Sequence, residues 1–190
     1  MKNLKKFLAV LLVAAMVTGF SGNVCRAKTK SDVHGDLIKQ LKKKEQFADG
    51  VYTAKIHDAS GNDILLVTDA GQNAVWADVY QNVNGKAELI TTIVSTGSGY
   101  PICKKGNYIL SGFHHKSMRY KITSDSTIME QINGLYLNKK YCTYTKNKIK
   151  DAKMTQLKRK KVKAKTAEKM DYYVDRKGNM RGKPIKFSRK

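Results

Sequence analysis

Two kinds of side chain in this sequence are suited to covalent or metal chemistry: the thiols of Cys103 and Cys142, and the imidazoles of His114-His115. A thiolate beside a base is a nucleophile for acyl transfer, and nearby lysines lower a thiol's pKa. Cys142 follows Lys139-Lys140-Tyr141 and so has that cationic setting. Either histidine, lying between two predicted strands, is a candidate base for it. The same residues admit plainer roles. Cys103 and Cys142 can form a disulfide closing a loop of about 40 residues, contributing roughly 3–4 kcal/mol, or Cys142 can be an inert buried thiol. His114 and His115 also read as ordinary surface residues, or as two metal ligands that would need Cys103 as a third. With two clear ligands and no more, neither a metal nor another cofactor is expected.

Rival chemistries lack their residues. There is no Ser-His-Asp order and no paired-carboxylate pattern. Thr96-Gly97-Ser98-Gly99 lacks the Lys-Ser/Thr that completes a phosphate loop. His34 and His57 have no evident partner, and Trp76 reads as core.

Charge and leader bound the partners. Residues 1–27 combine Lys2, Lys5 and Lys6 with an uncharged run from Phe7 to Val17, then Cys25-Arg26-Ala27. An apolar run that short does not span a bilayer, which takes about 18 residues or more; the pattern is that of a Sec-type signal peptide. Export would remove Cys25 and leave the other two cysteines as a pair. The whole chain carries +22. Residues 28–137 hold 13 basic and 11 acidic side chains, whereas 138–190 hold 20 basic and four acidic. Such a field concentrates polyanions and weakens with salt. Outside a cell the available polyanions are anionic wall polymers and lipid headgroups. Wall polymer is therefore the expected partner, peripheral contact with a membrane surface is open, and nucleic acid is not expected.

The elements that must position these residues are mostly strands. Ser31 to Gln46 predicts a short amphipathic helix, with Val33, Leu37, Ile38 and Leu41 at spacings of three and four. From Val51 the period changes to two. Ile64 to Thr68 is almost wholly apolar, and Ala74 to Gln81 alternates, with Val75, Ala77 and Val79 on one face. Asn84-Gly85 is a strong hairpin signal, and Asn133-Gly134 before Leu135-Tyr136-Leu137 reads as another. Short strands at this spacing predict a β-sandwich or barrel, antiparallel or mixed, with a short N-terminal helix and a basic C-terminal segment. The expected division is a leader (1–27), a helix and linker (28–50), a β domain (51–150) and a basic segment (151–190). Within the last, 151–169 reads as a basic helix or a solvated lysine-rich run, and Met170 to Phe187 as a terminal hairpin.

The stretch ILLVTDAGQNAVWADVYQNVNGKAELITTIVSTGSGYPICKKGNYIL, Ile64 to Leu110, resembles the first half of an L,D-transpeptidase catalytic domain of the YkuD type. Its most specific piece is Val94-Ser95-Thr96-Gly97 followed by Pro101 and Gly106-Asn107-Tyr108-Ile109. The resemblance implies a β fold and cysteine acyl transfer on peptidoglycan stem peptides. It places Cys142 where the family's nucleophile falls and Asp151-Ala152 where the family opens a helix. Lys139-Lys140-Tyr141 stands in place of the family's Ser-His-Gly, and Asn133-Gly134 in place of its His-Gly. His114 or His115 would then serve as base. The competing expectation is a non-catalytic cationic module for anionic wall polymers, held by a Cys103–Cys142 disulfide.

Overall fold

The computed structural model describes residues 30–96, 99–151 and 153–190. The expected signal peptide lies outside the described residues, as do Gly97 and Ser98. Helix α1 (Lys30–Leu41) and a 3-10 turn (Glu45–Phe47) come first. Four strands follow: β1 (Tyr52–His57), β2 (Asp63–Thr68), β3 (Trp76–Val83) and β4 (Lys86–Val94). Next are β5 (Cys103–Lys105), β6 (Tyr108–Phe113), β7 (Lys116–Ile122) and β8 (Thr127–Asn133). The long strands β9 (Tyr141–Lys150) and β10 (Lys153–Lys163) lead into α2 (Ala164–Lys169). Two short strands, β11 (Lys183–Pro184) and β12 (Ser188–Arg189), end the chain.

These strands form two antiparallel sheets, ordered β12-β1-β2-β3-β4 and β10-β9-β8-β7-β6-β5-β11. Both sheets are open, so the molecule is a β-sandwich and not a closed barrel. One core lies between them: Ile56, Ile64, Leu66, Val79 and Ile93 from the first sheet meet Ile109, Met118, Tyr120, Met129 and Ile149 from the second. Strand β2 is apolar from Ile64 to Val67 because both its faces are covered. Ile64 and Leu66 enter the sandwich, while Leu65 and Val67 pack with Leu41, Phe47 and Val51 beneath the N-terminal helix. Trp76 joins that second cluster, with its ring centroid 5.9 Å from Phe47.

The first hairpin follows from local chemistry. Val83 pairs with Lys86 across Asn84 (φ 51°) and Gly85 (φ 78°), the positive φ values that a type I′ turn requires. Asn82 Oδ1 accepts the Gly85 amide at 2.9 Å.

Three expectations change. After Asn133 the chain does not return at once: β8 pairs with β9, so Leu135 to Leu137 lie in a connection and Leu135 packs inward. The lysine-rich run after residue 151 is an exposed edge strand along β9 rather than a helix, because β9 supplies a ladder partner for its main chain. Asp151 accordingly sits in the β9–β10 turn and opens no helix. The terminal hairpin is divided between the sheets. Val174 bridges Met180, but β11 pairs with β5 in one sheet and β12 with β1 in the other.

Candidate functional site

The two cysteines are free and buried. Their expected disulfide is not formed, and the sheet order gives the reason. Cys103 lies on β5 and Cys142 on β9, with β8, β7 and β6 between them. Four strand spacings are about 19 Å, against the roughly 7 Å between Cα atoms that a disulfide tolerates. Each thiol belongs to its own cluster. Cys103 packs with Leu110 and Tyr173, its Sγ 3.4 Å from the Pro101 carbonyl oxygen and 3.7 Å from the Tyr173 hydroxyl. Cys142 packs with Ile132, Leu135, Tyr144 and Val162.

The hairpin turn between β6 and β7 carries His114 and His115, the latter at φ 61°. Their rings stack at 5.2 Å. The His115 main-chain oxygen accepts the amides of Gly134 (2.8 Å) and Leu135 (3.1 Å). Its Nδ1 lies 2.7 Å from the Leu135 carbonyl oxygen, and since that oxygen can only accept, Nδ1 carries the proton. Cys142 Sγ donates to the neighbouring carbonyl, that of Gly134, at 3.2 Å. The structure thus brings His115 and Cys142 to one dipeptide and leaves His114 exposed beside it. Burial, with a smaller contribution from Glu168, pushes the Cys142 thiol above its ordinary pKa. Burial does the same for Cys103. Both sulfurs are therefore thiols at neutral pH, the opposite of an activated nucleophile. Among the described residues, no three His, Cys, Asp or Glu side chains gather as metal ligands.

Seven of the lysines gather on one surface. Along the seven-stranded sheet, Met129 and Ile149 face the sandwich core, whereas Ile132 and Tyr144 face outward beneath α2. Alternation then fixes the rest of β9: Lys146, Lys148 and Lys150 stand on the outer face. Register places Lys158, Lys160 and Lys153 beside Lys146, Tyr144 and Lys150 on the same face, with Lys121 of β7 across from Ile128. Neighbours along a strand are about 6.8 Å apart and neighbouring strands about 4.8 Å, so the result is a close lysine grid. Two acids touch it: Asp125, with its Oδ2 at 3.9 Å from Lys148 Nζ and 4.0 Å from Lys150 Nζ, and Glu130, which stands opposite Lys146 in the β8–β9 register.

An aromatic and ionic clasp bounds this grid. Arg119 lies between the rings of Tyr108 (4.9 Å) and Tyr172 (4.5 Å) and pairs with Glu130, which also accepts the Tyr144 hydroxyl at 2.7 Å. Nothing in the sequence singled out Arg119, because its partners lie on β6, β8, β9 and the segment after α2.

No protein-family model matches the chain, and no curated protein or solved structure matches it.

The pattern D-x-x-G-N occurs at 58–62 and 175–179 and braces a turn each time. Asp58 Oδ1 accepts the amides of Ser60 (2.7 Å) and Asn62 (2.8 Å), and Gly61 has φ 84°. Asp175 Oδ1 accepts those of Lys177 (2.8 Å) and Asn179 (2.9 Å), and Gly178 has φ 83°. Both carboxylates are held below the usual pKa, Asp58 against the effect of its burial, by these hydrogen bonds together with one from the side chain of Asn62 or Asn179. Their acceptor capacity goes to amide donors, so the loops are turn braces and not cation sites.

Proposed function

We propose that this protein is an exported, non-catalytic cell-envelope module that binds anionic wall polymer through the lysine face of its seven-stranded sheet. The observation that carries the reading is the placement of Lys121, Lys146, Lys148 and Lys150 on interior strands. Lysines on an edge strand such as β10 are expected in any case, since like charges discourage strand addition. Edge protection gives no reason for lysines on β7 and β9. A charged grid on the part of the outer face that α2 leaves open attracts a polyanion by counterion displacement, and lysine suits phosphate or carboxylate groups in no fixed orientation. The leader read at residues 1–27 supports the setting.

The test is sedimentation with isolated cell walls across a salt series. Bound protein should fall steeply as salt rises, walls stripped of anionic polymer should retain little, and Lys146→Glu/Lys148→Glu should weaken binding about tenfold. Binding that ignores salt, or that survives charge reversal, would refute the reading.

A second reading is an L,D-transpeptidase-like cysteine acyltransferase with Cys142 as nucleophile and His115, or its neighbour His114, as base. It is favoured by one observation, the attachment of His115 and Cys142 to the same Gly134–Leu135 dipeptide. The buried, pKa-raised thiol argues against it. A covalent adduct with a carbapenem-type β-lactam, lost in Cys142→Ala and kept in Cys103→Ala, would establish it in place of the first.

A further inference from the structure

The C-terminal eight residues form a strap that crosses from one sheet to the other. Lys183 and Pro184 pair with Lys104 and Cys103 on β5, and Ser188 and Arg189 pair with Thr53 and Tyr52 on β1. Continuing the second register would set Lys186 opposite Lys55. It does not continue, because the strap turns away and the Ile185 amide donates to the Ile102 carbonyl oxygen at 2.8 Å. A fork opens there, an open slot of about 610 Å³. Lys55, Lys104, Lys183 and Lys186 wall it, and Ala54, Ile56, Pro184 and Ile185 give it an apolar floor.

Three properties of the slot point to one class of occupant. Its lining contains no carboxylate, and among the described residues no ion pair neutralises any of the four lysines. Lys55 and Lys186 both line the slot, and like charges gathered around one opening repel, so an anion between them would relieve that repulsion. The slot also borders a sheet edge. The Val51 carbonyl accepts the Lys190 amide, so by the alternation of an antiparallel ladder Lys55 directs its N–H and C=O to the same side, past the end of β12. Finally, the floor is apolar at spacings suited to every second side chain of an extended chain. A polyol phosphate has charge but nothing to place on that floor.

We propose that this fork is a second binding site, separate from the lysine face, which takes an extended acidic peptide segment by adding it to the free end of β1. Its carboxylates lie against Lys55 and Lys186, and its small apolar residues rest on Ala54, Ile56 and Pro184.

The probe is a synthetic nonapeptide alternating Glu and Val, titrated into the full chain by calorimetry, with amide hydrogen exchange as a second readout. We expect saturable binding that Lys55→Glu/Lys186→Glu weakens about tenfold, while Lys158→Glu/Lys160→Glu on β10 leaves it unchanged. Exchange of the Lys55 amide should slow when the peptide binds and stay unchanged with inorganic tripolyphosphate. Lys55→Gln and Lys186→Gln, both at exposed positions, repeat the test should the double reversal fail to fold. The proposal is overturned by absence of binding at millimolar peptide, by loss of binding in the β10 variant instead, or by equal Lys55 protection from tripolyphosphate. That last result would make the fork a plain anion site. Wall binding through the lysine face is scored with different variants, so either proposal can fail alone.

Discussion

His115 and Cys142 are tied to adjacent carbonyls of one dipeptide, the imidazole to Leu135 at 2.7 Å and the thiol to Gly134 at 3.2 Å. Each side chain spends a donor on the main chain that joins β8 to β9, so the pair braces a connection. In an acyltransferase the histidine would instead accept the thiol proton.

Thiol reagents should therefore leave Cys103 and Cys142 unmodified while the protein is folded. Ellman's reagent at neutral pH is expected to modify Cys103 and Cys142 together with global unfolding, because both are buried and their pKa values are raised. Rapid labelling of Cys142 in the native state would contradict the packing described. Cys142→Ala should lower stability by about 1–2 kcal/mol, through lost packing and a carbonyl left without its donor, as read by denaturant melts.

Stability should fall in acid through Glu130. Hydrogen bonds from Arg119 and Tyr144, together with the Arg119 charge, outweigh its burial and hold its folded pKa below the ordinary value. A depressed carboxylate stabilises the fold above its unfolded pKa, and that contribution is lost as pH falls through the folded value. Midpoints measured from pH 6 down to pH 3 should decline less steeply in Glu130→Gln than in the parent. An equal decline would mean that other carboxylates carry the effect.

The twin turn motifs allow a controlled comparison. Asp58 also accepts Gln81 Nε2 at 3.0 Å in the interior, whereas the Asp175 bonds are exposed to water. Asp58→Ala should cost about 2–3 kcal/mol, because buried donors lose their acceptor. Asp175→Ala should cost clearly less, since solvent can replace the carboxylate. Similar losses at both positions would show that turn geometry, not burial, sets the energy.

The strap should also hold the sandwich closed. Ile185 is 7% exposed and belongs to the central core, with Phe187 packed against it. Ile185→Ala is expected to cost about 2–4 kcal/mol. In hydrogen exchange, the loss should appear first in β1 and β5, the two edges the strap joins. Uniform loosening across both sheets would argue against a local closure.

How much of this was legible beforehand depends on the range of the forces involved. The β3–β4 hairpin could be read from Asn84-Gly85 because a turn's φ values are set by the two residues that occupy it. The doubly covered strand β2 showed itself as an unbroken apolar run for an equally local reason. The strand β10 could not be read that way. Its lysines have no apolar period, and what makes it a strand is the hydrogen-bonding partner offered by β9.

The same division holds for the candidate sites. By itself the sequence determined the charge, its concentration after residue 137, the pattern of an export signal, and the presence beyond that leader of two thiols and a histidine pair. Tertiary structure decided what these could do. Strand order put four spacings between Cys103 and Cys142, and β-alternation turned scattered lysines into one face. A strap shared between two sheets left a fork beside Lys55. Each of these depends on which strands become neighbours, and that is settled by burying apolar surface across the whole chain rather than by any local run of residues.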